Sequence, residues 1–281
     1  MARNTVAGAV GLRAVYVGVR ADDGTFSIPA TVTPGDAYYG IKAHKSKALT
    51  ITLPDPQSIP LSGDDSVWAT FLEAPTDSPS GELRTQVLDT SLTAMLSAVL
   101  EVSSGYRTEV ALATDKQGSE SPLIIWGVRQ AKSGNPEEST FGSDLWESIF
   151  ILNAYASAKP GGYEESQPGE MAWNIVSNKS TLDLLGKTLT AVTNGCTEAC
   201  MQVFHTTYKP FYEVFEGDGA LSTFTLTQGA NVIHDNSNSP ITCTIDGTER
   251  AVTVDASGVM TVSGAVPADS AKIAVFYEYN D

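Results

Sequence analysis

Apolar positions along this chain recur mostly in short alternating or continuous runs, broken by Gly, Pro, Asn and Asp clusters, a pattern that predicts strands and turns. Val6 to Val19 is rich in Val and Ala, with an irregular period. An Asp-Asp-Gly turn at Asp22 to Gly24 precedes an expected strand over Thr25 to Thr33. Ala48 to Leu53 alternates apolar residues with Thr, as a half-buried strand does, and Pro54 and Pro56 end it because neither can donate to a ladder. Leu53 to Asp65 reads as a long ordered loop, with strand character resuming over Val67 to Leu72.

Helical spacing is clearest at Leu88, Leu92, Met95, Leu96, Val99 and Leu100, with Asp89 or Thr90 placed to cap the start and Gly105 just past the end. A shorter helical window covers Leu182 to Leu189. Pro122 to Arg129 and Leu145 to Ala158 are β-branched and aromatic runs. Simple alternation in the second puts Ile149, Ile151 and Tyr155 on one face and Phe150, Leu152 and Ala154 on the other. A strand apolar on both faces is covered on both, by its own fold or by a neighbour. The polar loop Lys159 to Glu170 follows, and loops of that length inside a compact domain are usually functional.

The composition shifts near Tyr208 to Glu216. Short strands are then expected at Thr223 to Thr227, Ile241 to Ile245, Ala251 to Asp255, Val259 to Ser263 and Lys272 to Tyr279, joined by turns at Asp218-Gly219, Asp246-Gly247 and Asp255 to Gly258. The predicted fold is therefore mainly β. A β-sandwich domain over 1–213 carries one flanking α-helix and long loops, and a small all-β, Ig-like sandwich occupies 214–281.

Composition sharpens this. The 24 Gly and 14 Pro disfavour a mostly helical chain, and a 42% apolar fraction is enough for a core. Seventeen basic against 33 acidic residues give a net charge of −16, which argues against sequence-independent nucleic-acid binding through phosphates. No apolar stretch has the length of a membrane span, and the first residues do not read as a signal peptide. Three cysteines are too few for a disulfide framework, so the expected setting is a reducing cytoplasm.

Catalytic patterns are incomplete. Gly186-Lys187-Thr188 resembles the end of a phosphate loop, but Thr181 stands where the first Gly is required. Gly217-Asp218-Gly219 lacks the third Gly of a dinucleotide fingerprint, with Ser222 in its place. Cys196 and Cys200 with His205 make three of the four ligands zinc needs. Asp235 to Ser239 offers alternating oxygens, without the Gly and distal Glu of a calcium loop. His44, His205 and His234 are scattered, and the pairs Glu137-Glu138 and Glu164-Glu165 sit in solvated loops. The expectation is a protein that is not an enzyme and uses no cofactor or metal.

The stretches GDGALSTFTLT (Gly217 to Thr227) and TIDGTERAVTVDASGVMTVSGAVPADSAKIAVFYEY (Thr244 to Tyr279) resemble a small β-sandwich module common in structural proteins of tailed phages. The matching features are the opening strand at Gly217 to Phe224, the Asp-Gly turn at Thr244 to Gly247, the proline turn at Ala265 to Pro267 and the last strand at Ile273 to Tyr277. The first three quarters are similar in organisation to tail tube (major tail) proteins of long-tailed bacteriophages, through the helix at Leu88 to Leu100, the strand Leu145 to Ala158 and the two long loops.

That resemblance implies a structural virion protein, made in the host cytoplasm and located in the tail. It implies self-assembly into hexameric rings stacked as a tube, contacts with other tail proteins, and passage of double-stranded DNA without tight binding or any membrane role. Six copies at −16 would give a ring about −96, a field that repels phosphate from the lumen wall. Expected subunit contacts are Pro54, Pro56 and Ile59 in one loop, Gly161, Gly162, Tyr163, Glu164 and Glu165 in the other, and Ile149 and Ile151 on the long strand. The alternative reading is a capsid decoration protein or a receptor-binding, adhesin-like tail component.

Overall fold

Most β-branched and aromatic runs among the described residues form strands, and the protein is mainly β. The computed structural model describes residues 6–55, 57–63, 66–73, 78–86, 89–97, 99–104, 107–112, 118–134, 141–159, 170–190, 197–233 and 241–280. The strands are β1 (Val6–Val19), β2 (Ile41–Lys42), β3 (Ser46–Thr52), β4 (Gln57–Gly63), β5 (Ser66–Glu73), β6 (Ser80–Thr85), β7 (Val99–Ser104), β8 (Arg107–Leu112), β9 (Leu123–Gly134) and β10 (Phe141–Lys159). They continue as β11 (Met171–Ser177), β12 (Met201–Thr206), β13 (Lys209–Glu216), β14 (Thr223–Thr225), β15 (Thr242–Ile245), β16 (Thr248–Arg250), β17 (Val252–Val254), β18 (Val259–Val262) and β19 (Lys272–Tyr279). Among the described residues one α-helix occurs, α1 (Thr90–Leu96).

Eight strands form an antiparallel sheet in the order β2-β1-β9-β10-β11-β6-β3, with β12 paired to β10 beside β11. One edge of β10 is shared in sequence order: Trp146 to Ile151 pair with β12, and Ala154 to Lys159 pair with β11. The sheet curls until Leu49 of its last strand lies over Gly127 in β9, where a Cβ on the glycine would be 2.6 Å from Leu49 Cδ2. Val15, Val17, Leu83, Ile125, Ile151, Trp173 and Ile175 fill the inner side, covered by Leu92 and Leu96 of α1. Asp89 caps that helix by accepting the Leu92 N–H at 3.1 Å.

The opposite side of β1, β9 and β10 packs on the C-terminal strands. Trp126 is its centre: it stacks on Tyr16 (4.6 Å between centroids) and Phe150 (5.4 Å), meets Phe211 edge-on at 5.7 Å, and donates its indole N–H to Ser148 at 3.1 Å. The long strand is thus covered on both faces within one chain. Two small antiparallel sheets, β13-β19-β15-β16 and β14-β18-β17, make up the C-terminal part and touch through Phe215 and Phe224.

Several expectations change. The boundary between 213 and 214 falls inside β13, and Tyr16, Trp126 and Phe150 share one core with Phe211, Phe276 and Tyr277, so the C-terminal strands are packed onto the main sheet. The helix stops at Leu96, because Ser97 is extended and Val99 and Leu100 belong to β7. The expected loop Leu53 to Asp65 contains β4, the first half of a hairpin with β5. Pro60 is tolerated there because, among the described residues, β4 is paired on one side only, and an edge strand accepts proline where the missing N–H would face outward. Thr25 to Thr33 forms turns with one bridge at Phe26, since Pro29 cannot donate and Asp23 folds back onto Thr25. The window Leu182 to Leu189 is a tight loop in which Asp183 accepts the N–H groups of Leu185 (2.9 Å) and Lys187 (2.8 Å). Finally, a register shift between Ile151 and Ala154 reverses the alternation, placing Ala154 with Ile151 in the inner core and leaving Tyr155 exposed.

Candidate assembly surfaces

An assembling β subunit needs strands whose backbone groups remain unpaired until a neighbour arrives. Two hairpins fit that description. β4 pairs only with β5, and β7 only with β8, among the described residues. A two-stranded hairpin is marginally stable alone in water.

The outer edge of β1 is the third such element. β9 pairs with β1 from Val6 to Val19, whereas β2 pairs with it only at Tyr16 and Val17. Ahead of Tyr16, Val15 accepts the Ala43 N–H at 2.8 Å and the earlier residues pair with β9 alone among the described strands, with β3 lying close by. Two register shifts, at Ala9/Gly11 and Leu12/Ala14, bend this stretch. Gly11, at φ +133°, supplies backbone that other residues rarely adopt. Bulges of this kind keep an exposed edge from pairing indiscriminately.

Near the bends, Gly11 and Leu12 line an open, mostly apolar cavity of about 280 Å³ with Ala48, Leu49, Gly127, Arg129 and Ile149. Beside it a polar row crosses the sheet, because the register sets Arg129 opposite Glu147 and Glu147 opposite His205. Glu147 accepts from Arg129 Nη2 at 2.6 Å and lies 3.0 Å from His205 Nε2. Burial opposes its ionisation, but the hydrogen bonds and charges of Arg129 and His205 outweigh that and hold its carboxyl below the usual range. This row escaped sequence reasoning. Single charges inside apolar strands were its only signal, and their juxtaposition depends on register.

Of the ten expected contact residues, Pro56, Gly161, Gly162, Tyr163, Glu164 and Glu165 lie outside the described residues. Pro54 is half-buried beside the exposed Leu53, and Ile59 stands opposite Phe71 in the β4–β5 hairpin. Ile149 lines the cavity, while Ile151 is 2% exposed and its side chain is spent on the inner core. Lys159, the last residue of β10, pairs with Glu82 at 3.9 Å, and Glu170, just ahead of β11, pairs with Lys47.

Two of the incomplete chemical motifs are turns. Gly186-Lys187-Thr188 is a docking turn, with Lys187 Nζ 3.0 Å from Glu249. Asp218 accepts the N–H groups of Ala220 and Leu221, a turn rather than a dinucleotide loop. Cys196, His234 and Asp235 to Ser239 lie outside the described residues. Cys200 is half-buried just before β12, and burial pushes the Cys243 thiol up to about 12. Among the described residues no group of three or more His, Cys, Asp or Glu side chains could hold a metal ion, and no helix is long and apolar enough to cross a membrane. Comparison with protein families finds no matching model. Comparison with curated proteins finds no relative.

Proposed function

We propose that this chain is a non-catalytic structural subunit of a phage tail, one that assembles with copies of itself into stacked rings forming the tail tube. The observation that carries the reading is the set of strand edges with no partner strand among the described residues: the outer edges of the β4–β5 and β7–β8 hairpins and the bent first half of β1. Buried backbone groups must be hydrogen-bonded, and a second copy offers the matching donors and acceptors. The acidic balance of 33 to 17 supports a wall that lets DNA slide past. Hexameric rings, contacts with other tail proteins and location in the virion follow from the same reading.

Sedimentation velocity over a wide concentration range tests it. A subunit of this kind passes from monomer to rings and longer polymers as concentration rises. A protein that remains a monomer or trimer throughout is a decoration or receptor-binding component instead.

A further inference from the structure

Glu213 sits in the middle of β13 with no part of its surface exposed, opposite Val275 of β19. A buried carboxylate is normally paired with a cation, because the charge loses its hydration. The groups bonded to Glu213 are neutral. The Thr227 N–H donates to its two oxygens at 3.1 and 3.3 Å, the Thr227 hydroxyl donates to Oε2, and the Tyr277 hydroxyl donates to Oε1 at 3.0 Å. Gln228 N–H in turn reaches Tyr277 Oη at 3.4 Å.

These bonds join separate parts of the C-terminal half. Glu213 and Tyr277 belong to β13 and β19 of one sheet, whereas Thr227 lies in the chain that leaves β14 of the other. The charged groups on the same strands are engaged elsewhere. Lys272 pairs with Glu216 at 3.3 Å, Lys209 lies over the rings of Trp146 and Tyr279, and Glu278 accepts the Tyr208 N–H at 2.7 Å. Phe224 and Met260, in the same core, are apolar.

We propose that Glu213 is a buried proton-binding switch: its carboxyl takes up a proton and so tightens the C-terminal sheets, making this half of the protein firmer in mild acid and looser in alkali. Ionised, the group has its donors but carries a charge that no cation among the described residues is paired with. Protonated, it sheds the charge, and the Thr227 hydroxyl can turn to accept the new O–H, since a hydroxyl serves in either role. Burial raises the carboxyl to about 7, against the pull of the Thr227 and Tyr277 hydrogen bonds. The stabilisation is therefore complete below the ordinary value of 4.5 and is lost as pH rises through about 7.

Thermal and urea unfolding of the unassembled full chain from pH 5 to 8 test this, comparing wild type with Glu213→Gln. Linkage predicts that this one group raises the folding equilibrium constant about 50- to 100-fold between pH 8 and pH 5. The amide variant lacks that component while keeping every other carboxylate, so it is the more stable form at pH 8 and its advantage disappears by pH 5. Parallel pH profiles overturn the proposal. Should the variant fail to fold, a carbon-13 titration of wild-type side-chain carboxyls decides. A Glu213 midpoint near 7 upholds the switch, and one near 4.5 refutes it.

Discussion

Gly186 and Gly247 meet backbone to backbone, so closely that a Cβ on Gly247 would lie 2.3 Å from the Gly186 carbonyl oxygen. Gly186 belongs to the loop between β11 and β12, and Gly247 to the turn between β15 and β16. Around them Tyr212 Oη donates to the Leu184 carbonyl at 2.5 Å and Thr244 Oγ1 to the Leu185 carbonyl at 2.5 Å. The main sheet and the C-terminal strands are thus bonded through polar contacts as well as joined through the Trp126 core.

Gly247→Ala tests that joint. The residue sits at φ +74°, where an L side chain is already strained, and the new methyl would strike backbone that has no way to rotate aside. A loss of roughly 3 kcal/mol is expected in urea unfolding. Gly264→Ala is the control: φ is +96° but nothing lies within 4 Å of its Cβ, so the loss should be nearer 1 kcal/mol, the conformational part alone.

Removing residues 214–281 takes away β19, the partner of β13, and with it Phe276 and Tyr277 from the core around Trp126. The remaining chain is expected to lose the near-ultraviolet dichroism of its buried tryptophans and to be cleaved readily by protease. A truncated chain that keeps both the signal and the resistance would show that the C-terminal strands are an appendage.

The legible part of this fold was its class and its strongest strands. The β-branched and aromatic runs Leu145 to Ala158, Pro122 to Arg129 and Lys272 to Tyr279 all fall within or across strands (Phe141–Lys159, Leu123–Gly134 and Lys272–Tyr279). Of the two expected caps, Asp89 or Thr90, it is Asp89 that caps the helix. Tertiary pairing decided the rest. Val99 and Leu100 fit a helical face equally well, until pairing with β8 claims them. Pro60 hid β4, since proline argues against a strand unless the strand is known to be an edge. The bulge after Ile151 and the register that brings Arg129, Glu147 and His205 into one row are properties of paired strands, so no single segment records them. The boundary near 213 was drawn from a change in composition, whereas the core runs straight across it.

Glu147 should respond to pH in the opposite sense to Glu213. Its carboxyl is held below the ordinary range, so its contribution is present above that range and lost as pH falls through its own lowered value. Glu147→Gln is expected to destabilise by about 1 kcal/mol at pH 7, a modest figure because Arg129 and His205 are partly exposed to solvent. The difference from wild type should shrink as pH falls below the ordinary carboxylate range. An effect that is constant with pH would point to packing rather than charge.

Deleting Gly161 to Gln167, while leaving the Lys159–Glu82 and Glu170–Lys47 pairs that hold the flanking strands, is expected to give a folded monomer unable to polymerise. Circular dichroism and sedimentation on the same sample separate folding from assembly. Polymers of normal size from the deleted chain would remove this loop from the subunit interface.

Electron microscopy of the purified chain across a range of concentrations addresses the central proposal most directly. Hollow tubes of one bore width, or stacked rings with six-fold end views, are the predicted result. Compact particles at every concentration would contradict it and turn attention to a decoration or receptor-binding role.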